Sequence, residues 1–245
     1  MKRGKWGIAA RRRLLTALFG LLAVPVSGCG GEETGPLPVR ASGPVSLPAP
    51  TLSGEVSLAE AIQSRRSVRS FSPRPLTLSE VSQLLWAAGG KTVDGVTGPT
   101  RSYPSAGGIY PLSILLAAGE VSGLAPGSYR YDWKTHSLRL LRAGDPRPAL
   151  ARAALGQGAV SRAPAAIVIA GDIARTASRY GERGEDRYVP MDAGHSGQNV
   201  SLQARALGLG SVIVGAFRDE AVKEVLGLEE ETPLYIIPVG RPASN

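Results

Sequence analysis

The chain has 245 residues, 43% of them hydrophobic and 20% charged, and a formal net charge of +8. That length suits one domain with a full core, and the composition is that of a soluble globular protein. Six of the 28 basic residues (Lys2, Arg3, Lys5, Arg11, Arg12 and Arg13) precede residue 29 and no acid does, which leaves 22 basic against 20 acidic residues beyond it. So even a balance excludes the electrostatic footprint of a nucleic-acid-binding domain.

Residues 1–29 have the layout of an export signal. A basic start leads into an apolar run from Leu14 to Val24, too short for a comfortable membrane span. The run closes on Val26-Ser27-Gly28-Cys29, which resembles the lipobox of bacterial lipoproteins, whose cysteine is lipidated and becomes the first mature residue. Several acyl chains on Cys29 would anchor the protein to a membrane. Arg11-Arg12-Arg13-Leu14-Leu15 also resembles a twin-arginine signal, so export through either general route stays open. Cys29 is the one cysteine, and once lipidated it leaves no thiol for a disulfide, a nucleophile or a metal. Residues 30–54 are rich in Pro, Gly and Ser, without periodicity, and are expected to form a flexible tether.

The folded domain is expected over residues 55–242. Ser57-Leu58-Ala59-Glu60 is a capping box, predicting a helix to about Ser64 that delivers the arginines after it. Thr77-Leu78-Ser79-Glu80 is a second capping box, followed by Leu78, Val81, Leu84, Leu85 and Ala88 at helical spacing and stopped by Gly89-Gly90. Leu112–Ala118 is a predicted strand, and residues 128–132 and 137–141 flank a hairpin turn at Trp133–His136. A helix is expected over 146–157, a buried strand over 165–170 and a long helix from Asp192 to Leu207. Short strands at 211–214 and 234–239 and a helix at 219–226 complete the pattern. Helices around well-separated strands indicate α+β or mixed α/β architecture.

Two stretches carry chemistry. Arg65-Arg66-Ser67-Val68-Arg69 sets three guanidiniums and a hydroxyl within five residues, rigid forked donors matched to phosphate oxygens. Arg101-Ser102-Tyr103-Pro104-Ser105-Ala106-Gly107-Gly108-Ile109-Tyr110-Pro111 offers small residues and glycines against which a planar ring can lie. A phosphate grip and a flat-ring shelf together meet the needs of flavin mononucleotide (FMN). Gly194-His195-Ser196-Gly197-Gln198 lacks the second glycine of a nucleophile elbow, which argues against a hydrolase. Gly208-Leu209-Gly210 has two of the three glycines of a dinucleotide fingerprint and follows a helix rather than a strand. Two histidines without carboxylates at ligand spacing argue against a metal.

RRSVRSF at 65–71, RSYPSAGGIYPL at 101–112, SYRYD at 128–132, MDAGHSGQNVSLQARALGLGSVIVGAF at 191–217 and LYIIPVGRP at 234–242 resemble, in this order, the nitroreductase superfamily and its SagB-type dehydrogenase branch. The resemblance implies an α+β fold with a central, mostly antiparallel sheet flanked by helices. It further implies an intertwined homodimer with one FMN at each of two subunit interfaces. By position, Arg65, Ser67 and Arg69, with Arg66 beside them, are similar to the residues that hold the FMN phosphate and ribityl chain, and Arg241 to a further phosphate ligand. Pro104, Ser105, Ala106 and Gly107 resemble the segment packed on the partner's flavin. Val214 and Gly215 sit where backbone amides approach the ring and would stabilise charge gained on reduction.

The activity implied is hydride transfer between a reduced donor and a small organic acceptor of nitro, quinone or azoline type. Tyr180, His195, Tyr110 and Asp192 are the candidates for handling a proton, Tyr180 and His195 foremost. Branch members that oxidise azoline rings can use a Lys-Tyr pair, where this chain has Arg179-Tyr180, and an arginine cannot lend itself as a base. The alternative expectation is an exported lipoprotein that keeps the fold as a binding or sensing module, with or without flavin.

Overall fold

The computed structural model describes residues 43–95 and 98–243. The expected signal segment, Cys29 and the first part of the expected tether lie outside these residues. Among the described residues no helix is long and apolar enough to cross a membrane.

The first elements in chain order are β1 (Val45–Ser46), α1 (Leu58–Ser64), β2 (Leu76–Thr77), α2 (Leu78–Gly89), β3 (Lys91–Gly95), β4 (Gly98–Arg101), β5 (Leu112–Ala118), β6 (Val121–Ser122), β7 (Gly127–Asp132) and β8 (Ser137–Ala143). Then come α3 (Arg147–Ala153), α4 (Gly158–Arg162), β9 (Ala165–Gly171), α5 (Ile173–Tyr180), α6 (Val189–Ala206), β10 (Gly210–Ser211), α7 (Asp219–Leu226) and β11 (Thr232–Gly240). Both capping boxes form, with Ser57 and Thr77 accepting from the amides of Glu60 and Glu80 while each glutamate reaches back. Arg65 adopts extended backbone (φ −62°, ψ 129°), so α1 stops where the arginine run begins.

Seven strands form one sheet in the order β1-β8-β7-β5-β9-β11-β10, and every pairing in it is antiparallel. This is the α+β fold that the sequence led us to expect. Side chains alternate across the strands, and both faces are covered. On one face Leu112, Ile114, Leu116, Ile167 and Ile169 pack with Val81, Leu84 and Leu85 of α2 and Val200 and Ala204 of α6. On the other, Leu115, Ala117, Val168 and Ile236 pack with Leu150 of α3, Val160 of α4 and Leu226 of α7. Two-sided burial explains why β9 is a continuous apolar run.

Some boundaries move. The helix expected over 146–157 is two short helices, because Leu155 and Gly156 both take positive φ between them. The strand expected over 211–214 reduces to Gly210–Ser211 plus a bridge from Val214 to Ile236. The domain also begins ten residues before Glu55, which corrects the tether boundary at 54. Val45 and Ser46 pair with Leu138 and Ser137 at the sheet edge, and Leu47 is buried. Beyond them the backbone of Thr51 is gripped by Gln83, whose Oε1 accepts from the Thr51 amide at 2.8 Å and whose Nε2 donates to its carbonyl at 3.0 Å. Pro48 offers its carbonyl to Ser82 and to His136 Nε2, and His136 Nδ1 takes a hydrogen bond from the Tyr131 hydroxyl at 2.7 Å. These grips come from residues far along the chain, so local composition could not reveal them.

Candidate functional site

The arginine run lies against the end of α6 and the β10 edge. Ser67 bridges to Ser211, and the Val68 amide donates to the Ser211 carbonyl at 2.9 Å. A Cβ on Gly210 would lie 2.6 Å from Val68 Cβ, so only glycine lets the two backbones meet this closely. Arg65, Arg66, Ser67 and Arg69 are all exposed. Among the described residues no carboxylate pairs with the three guanidiniums. Exposed guanidiniums are solvated at little cost, and three of them close together without counter-charges leave a cationic surface able to hold an anion.

Arg65 and Arg66 border a pocket of about 370 Å³ that is also lined by Ser201, Arg205 and Ser211. Arg205 was not among the residues that the sequence singled out. Its signal was a basic residue in the last turn of a helix followed by Gly208-Leu209-Gly210, which has the ordinary reading of a helix end. Arg241 does not join this pocket. Both of its terminal nitrogens sit 2.9 Å from Oε1 of Glu80, whose other oxygen caps α2.

The second stretch forms a separate construction. Arg101 is buried, its Nε donating to the Gly89 carbonyl at 2.7 Å and its Nη1 to the Leu112 carbonyl at 2.9 Å. Desolvation lowers its pKa, and burial pushes the neighbouring Tyr103 hydroxyl up to about 12. From this floor the chain rises through Pro104 into Ser105, whose hydroxyl donates to Asp192 Oδ2 at 2.5 Å and accepts the Tyr110 amide at 2.9 Å. Asp192 is only 3% exposed, and burial raises its carboxyl above the ordinary 3.8 against the hydrogen bond from Ser105.

Between these anchors Ala106–Gly108 make a single tight 3-10 turn in which Gly107 has φ +60°. A Cβ there would also lie 2.5 Å from the Tyr180 hydroxyl, which thus covers the turn directly. Arg179 contacts the same turn, its Nη1 3.4 Å from the Gly107 carbonyl. Tyr110 holds φ +52°, a costly conformation for an aromatic residue, and packs edge-on against Tyr103 at 5.6 Å. Pro104, Ser105, Ala106, Gly107 and Tyr180 are therefore brought together. His195 is exposed, one turn after Asp192, and forms no hydrogen bond with the described residues. Asp192 does not cap α6, as the sequence allowed, because the helix already starts at Val189.

Val214 and Gly215 behave differently from each other. The Val214 amide donates to the Ile236 carbonyl at 2.9 Å and its side chain is buried. Gly215 is exposed and its amide has no acceptor among the described residues, so it is the one of the two that can meet a ligand. Among the described residues there is also no group of three or more His, Cys, Asp or Glu side chains suited to a metal.

Helix α6 relates the two constructions. Asp192 fastens the shelf near its start, and Arg205 lines the cationic pocket in its last turn, 13 residues on, or about 20 Å along the axis at 1.5 Å per residue. One chain therefore presents the clamp and the shelf at opposite ends of a helix.

Comparison with known proteins gives a consistent picture. The profile of the Nitroreductase family matches residues 62–241. A protein of Methanocaldococcus jannaschii whose name places it among the nitroreductases is 42% identical over 187 residues, covering 76% of this chain and 92% of that one. A crystal structure from Ralstonia eutropha that bears the nitroreductase name superposes with a TM-score of 0.70 at 32% identity, over 82% of this chain and 90% of that one. The NADPH:FMN oxidoreductase of Vibrio harveyi, solved with NAD+, shares the fold with a TM-score of 0.55 at 22% identity, over 77% of this chain and 70% of that one.

Proposed function

The chain belongs to the nitroreductase family, and on that premise we propose that it is an FMN-dependent oxidoreductase. It passes hydride from a reduced donor to a small organic acceptor of nitro, quinone or azoline type. The observation that carries this reading is the run of three exposed guanidiniums, Arg65, Arg66 and Arg69, with no carboxylate among the described residues paired to them. A binding or sensing module that had abandoned flavin would gain nothing from such uncompensated charge.

The residues present fit FMN at both of its ends. Forked donors suit the phosphate, and a glycine turn with φ +60° at Gly107 leaves bare backbone for a ring. FMN supplies acceptance and release of hydride when bound. The Gly215 amide would donate a hydrogen bond to a ring that gains negative charge. Tyr180 is the proton donor in this reading, since its hydroxyl stands over the shelf at Gly107. His195 is the second candidate, exposed and able to exchange protons with solvent. Asp192 is a positioning residue, holding Ser105 and through it the Tyr110 amide.

The separation of clamp and shelf along α6 supports a homodimer in which each shelf serves its partner's clamp. The motifs at 65–71, 101–112 and 191–217 support the SagB-type branch, although Arg179 in place of a lysine removes the base that azoline oxidation can use. The basic, apolar and small-residue succession over residues 1–29 supports export and a lipid anchor on Cys29 at the outer face of a membrane. A Cys29→Ala variant should then move from the membrane fraction to the soluble fraction.

The test of the cofactor is the visible spectrum of the protein purified without residues 1–29. Flavin absorption bands that are lost in the Arg65→Ala, Arg69→Ala double variant support the reading. A colourless protein that takes up no added FMN contradicts it.

A further inference from the structure

We propose that Arg205 is a further phosphate ligand of the clamp, completing a pocket built for a phosphate monoester dianion; the proposal rests on the flavin reading above. Arg205 lies in the last turn of α6, and its Nε–H donates to Ser64 Oγ at 2.7 Å. Ser64 Oγ in turn donates to the Glu60 carbonyl at 2.5 Å, so its lone pairs face Arg205 and fix the direction of the fork. Both terminal nitrogens of Arg205 remain without a partner among the described residues, and the side chain lines the pocket beside Arg65 and Arg66. Glu60 acts on Arg205 electrostatically, but its carboxylate takes its hydrogen bonds from Ser57 in the capping box rather than from the guanidinium.

The charge lining distinguishes this pocket from the groove beside the shelf. The groove of about 900 Å³ beside the shelf is lined by cations and acids together, Arg130 and Glu231 paired across Ser113 among them. Among the described residues the pocket at Arg205 is lined by three arginines and no acid. It lies where α1 and α6 both end. The three guanidiniums make the lining net positive, which suits a phosphate monoester that is largely dianionic near neutral pH. Ser201 and Ser211 add small polar side chains to the lining.

The experiment measures dissociation constants of FMN and of riboflavin for the flavin-free protein, for Arg205→Ala and for Arg205→Lys. Riboflavin lacks only the phosphate. Arg205→Ala should weaken FMN by about tenfold or more, the scale of one charge-assisted hydrogen bond, and leave riboflavin unchanged. Arg205→Lys keeps the charge without the fork and should fall between, which also preserves the test if the alanine variant folds poorly. Unchanged FMN affinity in both variants overturns the proposal while leaving the flavin reading intact. An equal loss for both flavins overturns it too, by assigning Arg205 to the packing of the helix end. A wild-type protein that binds neither flavin overturns the flavin reading and this proposal with it.

Discussion

At the clamp, Arg65, Arg66 and Arg69 stand exposed with no carboxylate among the described residues paired to them. At the shelf, Arg101, Ser105 and Asp192 are each tied into the fold by hydrogen bonds to groups on other elements. One half of the site is charge held ready at a surface, and the other is shape held by buried contacts. The difference teaches where each is vulnerable. Removing a clamp residue removes affinity and leaves the fold alone, whereas disturbing the shelf costs stability before it costs binding.

The largest expected effect is on the clamp. Arg65→Ala with Arg69→Ala should lower FMN affinity by roughly 10² to 10⁴, the scale of two charge-assisted hydrogen bonds. The melting temperature of the flavin-free protein should hardly move. A large drop there would show that the clamp is structural after all. Next in size is Gly107→Ala, which must accommodate φ +60° and a Cβ 2.5 Å from the Tyr180 hydroxyl. It should cost about 1–3 kcal/mol in chemical denaturation. Adding Tyr180→Phe should recover part of that loss, and a double-mutant cycle with no coupling would separate the two residues.

Arg241→Ala comes third. The ion pair with Glu80 is partly exposed, so its loss should cost about 0.5–1 kcal/mol of stability. FMN affinity should stay within about threefold, and a loss of about tenfold would return Arg241 to the clamp.

The smallest effect concerns pH. Burial raises the Asp192 carboxyl above 3.8, so the folded state binds its proton more tightly than the unfolded chain does. The stability that this contributes is complete below pH 3.8 and is lost as pH rises through the higher folded value. Denaturation curves should show this slope in the wild type and not in Asp192→Asn.

The clamp was legible because it is local. A capping box at Ser57 and Glu60 fixes where α1 starts, its length fixes where it stops, and the arginines follow within five residues. Likewise β5 and α7 fall on the expected residues, since periodicity and caps suffice to define them. Arg205, by contrast, belongs to the clamp only because α6 and the β10 edge return to α1 after more than 130 residues. The strand at Val45–Ser46 was hidden for the same reason: its partners are Leu138 and Ser137, and its own sequence is proline-rich and aperiodic. The glycines at 107 and 108 announced a shelf. That Tyr180 would cover it required a contact 73 residues away.

The central claim is that clamp and shelf of one site come from two subunits, and a heterodimer tests it. One subunit carries Arg65→Ala with Arg69→Ala and the other Gly107→Ala, each with its own affinity tag, purified together and assayed for reduction of a quinone or nitroaromatic acceptor. The parent homodimers should both be impaired, the first for lack of flavin and the second with flavin bound. If each shelf serves its partner's clamp, the heterodimer holds one intact site and should turn over at about half the wild-type rate. A heterodimer no better than its parents would show that both halves act within one chain.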